Sequence, residues 1–137
     1  MSAWSFAVKG IPEPKGSSRA FVRNGRAIVT SANPAVKTWE DTIRFVLQDW
    51  QHGVLAGPVA LTMTFTIVRP PSVSAKKRPQ PTVKPDADKL LRGAQDALKG
   101  IVYRDDSQVT EAHVRKQYGE TPGLACEVRW NDGGQNG

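Results

Sequence analysis

Apolar and polar positions alternate along parts of this chain and recur every three to four residues along others. In PVALTMTFTIV, Val59, Leu61, Met63, Phe65 and Ile67 face one way while Thr62, Thr64 and Thr66 face the other. That period of two marks a strand with one covered face. Leu124, Cys126, Val128 and Trp130 alternate in the same manner, VTEAHVRKQY before them reads as another strand, and Trp4, Phe6 and Val8 make a weaker one. Asn24-Gly25 between the β-prone arms of FVRNGRAIV predicts a hairpin with a tight turn. Helical spacing appears in Val36, Trp39, Ile43, Val46, Leu47 and Trp50, with Asn33 to cap the helix, Pro34 in its first turn and Gly53 just past its end. It returns in Leu90, Leu91, Ala94, Ala97 and Leu98, predicting a second helix from about Asp88 to Lys99, ended by Gly100. IVY is then a short apolar run and RDDS a turn.

Strands with two helices interspersed imply an α+β fold: a single domain with one mixed or antiparallel sheet and two main helices. PVALTMTFTIV belongs near the centre of that sheet. The domain is expected over residues 1–130, and NDGGQNG (131–137) reads as a disordered tail. A length of 137 residues suits one core of modest size, and the tryptophans Trp4, Trp39, Trp50 and Trp130 belong mainly to it, although some could serve an interface. A lone Cys126 excludes an internal disulfide framework, and with only two histidines, His52 and His113, a Cys/His zinc site is not expected. The opening MSAWSFAVKG lacks the apolar run of a signal peptide and no stretch approaches transmembrane length, so the expectation is an intracellular, cytoplasmic chain with no membrane partner.

Charge narrows the partner. Nineteen Lys+Arg against thirteen Asp+Glu give +6, which favours a polyanion, most simply nucleic acid. The basic residues are not spread evenly. RPPSVSAKKRPQPTVKP holds five of the ten prolines, carries Arg69, Lys76, Lys77, Arg78 and Lys84, and has no acid. So much proline forbids a helix interior or central strand and predicts an exposed, mobile loop suited to a phosphate backbone. Lys15 and Arg19, in the irregular GIPEPKGSSR, are added to this DNA-binding set.

Against this basic background, five aspartates fall within VKPDADKLLRGAQDALKGIVYRDDSQV: Asp86, Asp88, Asp96, Asp105 and Asp106. Asp88 is a good helix cap, but capping leaves Asp86 unexplained. A twelve-residue helix runs about 18 Å. Five extended residues from Ile101 to Asp105 retrace about 16 Å, enough to bring Asp105 and Asp106 level with Asp86 and Asp88. Three or four carboxylates so gathered would repel each other unless a hard cation joined them, and Mg²⁺ prefers such oxygens. Asp96, two turns along, reads as structural or surface. An EF-hand is excluded because Leu90 and Leu91 occupy the positions that need a ligand and a glycine. An Asp-x-Asp pair also serves transferases, but no dinucleotide-type site accompanies it. The adjoining basic loop points to phosphodiester hydrolysis, with Mg²⁺ activating water and stabilising the leaving 3′ oxygen.

KPDADKLLRGAQDAL followed by YRDDSQV resembles the RusA family of Holliday junction resolvases, specifically across residues 84–109; IPEPKGSSR and KTWE also look like its phage members. The resemblance implies a RusA-like fold and a Mg²⁺-dependent endonuclease, with Mn²⁺ as a substitute. It also implies a four-way DNA junction as substrate and a homodimer making paired nicks in recombination, repair or phage DNA processing. It implies Asp86, Asp88 and Asp106 as catalytic metal ligands, with Asp105 a fourth candidate. The family pattern has Asn directly after the second Asp and a functional Lys four residues after it; here those positions are Lys89 and Arg92. Both remain candidate catalytic cations, although an Arg is effectively never deprotonated. The alternative is a non-catalytic module of this fold that binds branched DNA.

Overall fold

A computed structural model describes residues 1–15, 19–30 and 34–131, with the arms 19–23 and 27–30 described by their backbone alone. Asn33 and the expected tail from 132 to 137 lie outside the described residues, and so does the Arg19 side chain.

Among the described residues, six strands and two helices follow one another as β1 (Ser2–Lys9), β2 (Arg19–Arg23), β3 (Arg26–Thr30), α1 (Pro34–Val46), β4 (Val59–Ile67), α2 (Ala87–Leu98), β5 (Val109–Tyr118) and β6 (Gly123–Trp130). One turn of 3₁₀ helix, Leu47–Asp49, extends α1. The main sheet has the order β1-β6-β4-β5, so the most regularly alternating strand, β4, is internal as expected. It pairs antiparallel with β6 and parallel with β5, which makes the sheet mixed. β2 and β3 form a separate hairpin. Its turn residues Asn24 (φ 54°) and Gly25 (φ 75°) both take the left-handed conformation that a two-residue turn of this twist requires.

The covered face of β4 carries Val59, Leu61, Met63 and Phe65, each at most 1% exposed. Both helices lie over this face: Trp39, Ile43 and Leu47 join it from the α1 side, and Leu90, Ala94, Ala97 and Leu98 from α2. Burial of each large side chain stabilises the fold by about 1.5–3 kcal/mol, so the two stripes are enough to dock both helices. Trp50 packs edge-on against Trp4 and Trp130, with ring centroids 5.3 and 5.2 Å apart. Trp39, Trp50 and Trp130 are therefore core residues rather than interface ones, while Trp4 is half-buried against them. On the other side of β4 the threonines are half-buried, the pattern of a sheet with a polar face.

The proline-rich segment is a run of turns. Val73 N–H donates to Pro70 O, Arg78 N–H to Ser74 O, and Thr82 N–H to Gln80 O. Arg69 lies at its base with the guanidinium 4.5 Å from the centre of the Tyr118 ring and Nη2 near the carbonyls of Arg78 and Pro79. Arg69, expected as a DNA contact, is engaged in closing the loop. Lys76, Lys77 and Lys84 remain exposed, and Arg78 is half-buried.

Candidate active site

The second helix starts one residue earlier than its pattern predicts. Ala87 is its first residue, and Asp86, extended at φ −71° and ψ 144°, occupies the cap position expected for Asp88. Leu90 N–H donates to the Asp86 carbonyl, but the Asp86 carboxylate makes no capping hydrogen bond. That leaves the carboxylate turned outward, 3.8 Å from the Lys89 ammonium and about half exposed. Asp88 lies in the first turn, exposed, with no ion-pair partner among the described residues. Neither acid is consumed by the fold, and both sit at the positive end of a helix dipole.

Approach to this helix is set from two sides. The segment before it contains a cis Lys84–Pro85 peptide, and the Lys116 ammonium bonds the carbonyls of Val83 and Pro85 at 2.8 Å each. On the flank, the strap Ile11–Lys15 crosses the helix at Gly93. Lys15 N–H donates to Lys89 O, and a Cβ on residue 93 would stand 3.0 Å from Glu13 O, so glycine there permits the crossing. The Lys15 side chain pairs with Asp96, and this bond is the chief reason the Lys15 ammonium titrates above its usual range. Asp96 is accordingly structural, as expected, and Lys15, expected as a DNA contact, is engaged in anchoring the strap. A cleft of about 630 Å³ opens between strap and helix, lined mostly by prolines and by Ile11, Ile67 and Val68, with Lys84, Asp86 and Lys89 at its border.

The second acidic pair lies beyond α2, in a turn of 3₁₀ helix over Asp106–Gln108. Gly100 (φ 88°) turns the chain and its N–H bonds Tyr103 O; Ile101 and Val102 N–H both bond Leu98 O. Residues 101–103 thus form a tight turn, and the extended return that was to carry Asp105 and Asp106 beside Asp86 does not exist. Tyr103 is fully buried, with its hydroxyl 3.2 Å from Asp106 Oδ1 and 3.4 Å from Gln95 O. Burial, reinforced by the Asp106 charge, pushes the phenol far up, so it is a permanent donor. Through that hydroxyl Asp106 is linked to the Gln95 carbonyl of α2. Asp105 is exposed, its pKa lowered mainly by the Ser107 hydroxyl bond and further by Lys99, 3.8 Å away. Among the described residues no three His, Cys, Asp or Glu side chains gather closely enough to hold a metal ion. Asp105 and Asp106 are thus held by Ser107, Gln108 and Tyr103 after α2, while Asp86 and Asp88 stand uncommitted at its start.

Mg²⁺ is commonly held by one or two carboxylates, with waters and substrate phosphate completing its shell. Asp86 and Asp88 fit that description. Lys89 follows in the same turn and Arg92 on the next, both exposed.

One residue had no role assigned from sequence. The Gln108 amide uses both ends: Oε1 accepts from the Arg104 and Asp105 N–H groups at 2.8 and 2.9 Å, while Nε2 donates to Leu55 O and Gly57 O at 2.8 and 3.0 Å. It fastens the Asp105-Asp106 turn to the segment entering β4. Its position in DDSQ was the available signal.

The model of the endodeoxyribonuclease RusA family matches residues 12–129, which include both helices and every acid discussed above. The chain belongs to the RusA family. YqaN, an uncharacterised protein of Bacillus subtilis (strain 168), is 33% identical over 140 aligned positions, covering 94% of this chain and 97% of that one. RusA membership carries a resolvase-type endodeoxyribonuclease reading for the whole domain. No helix among the described residues is long and apolar enough to cross a membrane.

Proposed function

We propose that this RusA-family chain is a Mg²⁺-dependent, structure-selective endonuclease that resolves four-way DNA junctions in recombination, repair or phage DNA processing. It would work in the cytoplasm of a bacterial or phage-infected cell. The observation that carries the reading is the pair Asp86 and Asp88, exposed at the start of α2 and spent on neither capping nor core. Those two carboxylates would hold the ion, with Mn²⁺ as a substitute. Bound there, Mg²⁺ supplies Lewis-acid chemistry for phosphodiester hydrolysis.

The chain's own groups do the rest. Lys84, Lys76, Lys77 and Arg78 offer positive charge to the phosphate backbone leading to the site. Lys89 and Arg92 offset negative charge that grows on the phosphate during attack, a role in which a fixed guanidinium serves as well as an ammonium. The apolar wall of the neighbouring cleft gives the adjacent nucleotide a surface to lie against. Asp106 occupies the third acidic position of the family motif and adds negative charge from the turn after α2. A homodimer follows from the substrate: a four-way junction has approximate two-fold symmetry, and paired nicks need two sites related by a dyad.

The anchoring of Asp106 and the Arg at the family's lysine position favour one second reading, a module that binds branched DNA without cutting it. Incubating a labelled synthetic junction with the protein, with and without Mg²⁺, separates the two. Mg²⁺-dependent products that vanish in Asp86→Asn support the nuclease; a retarded but intact junction under all conditions supports the binder. Light scattering, together with a cruciform plasmid assay, tests the dimer, which a monomer releasing singly nicked circles would rule out.

A further inference from the structure

One lysine occupies a place where the strand pattern asks for an apolar residue. Opposite Leu61, Met63, Phe65 and Ile67 of β4, strand β5 sets Ala112, Val114, Lys116 and Tyr118. Phe65 is fully buried, so the Lys116 stem runs along covered sheet before its ammonium emerges beside the start of α2. There it donates to Val83 O and Pro85 O, both at 2.8 Å. Bonds of that length to a charged donor are among the stronger ones available to a loop. Pro85 has no N–H, and the neighbouring chain is rich in proline, so local backbone donors are scarce.

The second bond has a geometric consequence. The Pro85 carbonyl belongs to the same planar peptide as the Asp86 nitrogen and Cα. Holding that oxygen from the sheet fixes the plane from which the Asp86 side chain departs. We infer that Lys116 is the positioning residue for Asp86, an edge-strand ammonium that aims the first metal-binding carboxylate through the backbone. The inference rests on the reading of Asp86 and Asp88 as the metal-binding pair.

Lys116→Met keeps the stem and removes the donors; Lys116→Arg restores donors; Asp86→Asn tests the underlying pair. Three measurements apply to each: Mn²⁺ affinity of the DNA-free protein by electron paramagnetic resonance, the Mg²⁺ dependence of single-turnover junction cleavage, and the urea midpoint. Groups that orient metal ligands change metal affinity by about 10–100-fold when removed, so Lys116→Met should weaken Mn²⁺ binding and raise the Mg²⁺ requirement by at least about tenfold. Junction affinity in EDTA should stay within about threefold, because Lys116 is engaged with carbonyls rather than phosphate. Lys116→Arg should recover most of the loss. Unchanged Mn²⁺ affinity in Lys116→Met, with Asp86→Asn defective, overturns the positioning role alone. A loss matched by a fallen urea midpoint and not rescued by Arg marks Lys116 as merely structural. Normal Mn²⁺ binding by Asp86→Asn overturns the metal-binding pair and this inference with it.

Discussion

Replacing Gln108 with Met removes every bond of its amide while keeping the length of the side chain. Two of the four partners, the N–H groups of Arg104 and Asp105, belong to exposed residues and can turn to water at little cost. The other two are carbonyls of Leu55, which is 7% exposed, and half-buried Gly57. The Leu55 carbonyl also takes part in a parallel bridge to Tyr103, so loss of the amide at the two carbonyls costs about 1–2 kcal/mol in all. For a chain of this size that corresponds to a fall of roughly 5 °C in Tm. Urea unfolding is the sharper assay: the midpoint should drop with the slope unchanged, since the surface exposed on unfolding stays the same. The turn bearing Asp105 and Asp106 loses its tie to the entry of β4, so amide exchange there should accelerate more than in α2. Gln108→Glu should be worse than Met, because a carboxylate cannot donate to either carbonyl. A Gln108→Met protein within about 0.5 kcal/mol of the parent would refute the reasoning, for it would mean that water replaces the amide at both carbonyls.

Asp86→Asn and Asp88→Asn should each abolish Mg²⁺-dependent junction cleavage while leaving gel-shift affinity equal or tighter, since each loses an anion near phosphate. Asp106→Asn should lose cleavage too, yet keep its melting temperature, because the amide oxygen still accepts the Tyr103 hydroxyl; full activity would remove Asp106 from the reaction. Lys89→Ala and Arg92→Ala should each slow cleavage by about tenfold or more if that cation stabilises transition-state charge, and normal rates in both would discard the pair. Burial pushes the Cys126 thiol up to about 12 and the Tyr103 phenol higher still, so both keep their protons in the fold after the unfolded chain has lost them. Stability is therefore full below about pH 8.5 and falls as pH rises, first through Cys126 and from about pH 10 through Tyr103, at up to about 1.4 kcal/mol per pH unit for each group. Urea midpoints from pH 8 to 11 would show this, with Tyr103→Phe flattening the upper part. Gly93→Ala gains about 1 kcal/mol in helix propensity but presses a Cβ to 3.0 Å from Glu13 O, where overpacking costs about 1–3 kcal/mol. A net loss of stability is expected, and a raised urea midpoint would show that the strap yields freely.

Much of this molecule was determined by sequence alone, wherever a local rule sufficed. Strand β4 could be read from Val59 to Ile67 because burial on one face imposes a period of two. Both helical stripes were legible for the corresponding reason, and Asn24-Gly25 named its own turn. The D-x-D and D-D-x-Q spacings located the acids and pointed to the family before any coordinate was known. What sequence could not determine was where those acids stand relative to one another. That depends on whether Ile101–Tyr103 runs extended or turns, and the choice is made by Tyr103 entering the core beneath α2, a long-range packing gain invisible in local spacing. The same holds for charges. Lys15 and Arg69 read as free cations along the chain, but Asp96, at a separation of 81 residues, claims one, and Tyr118 with the loop carbonyls claims the other. A side chain's partner is decided by which surfaces the fold brings together, so composition counted the charges correctly while only tertiary structure decided which of them remain available to DNA.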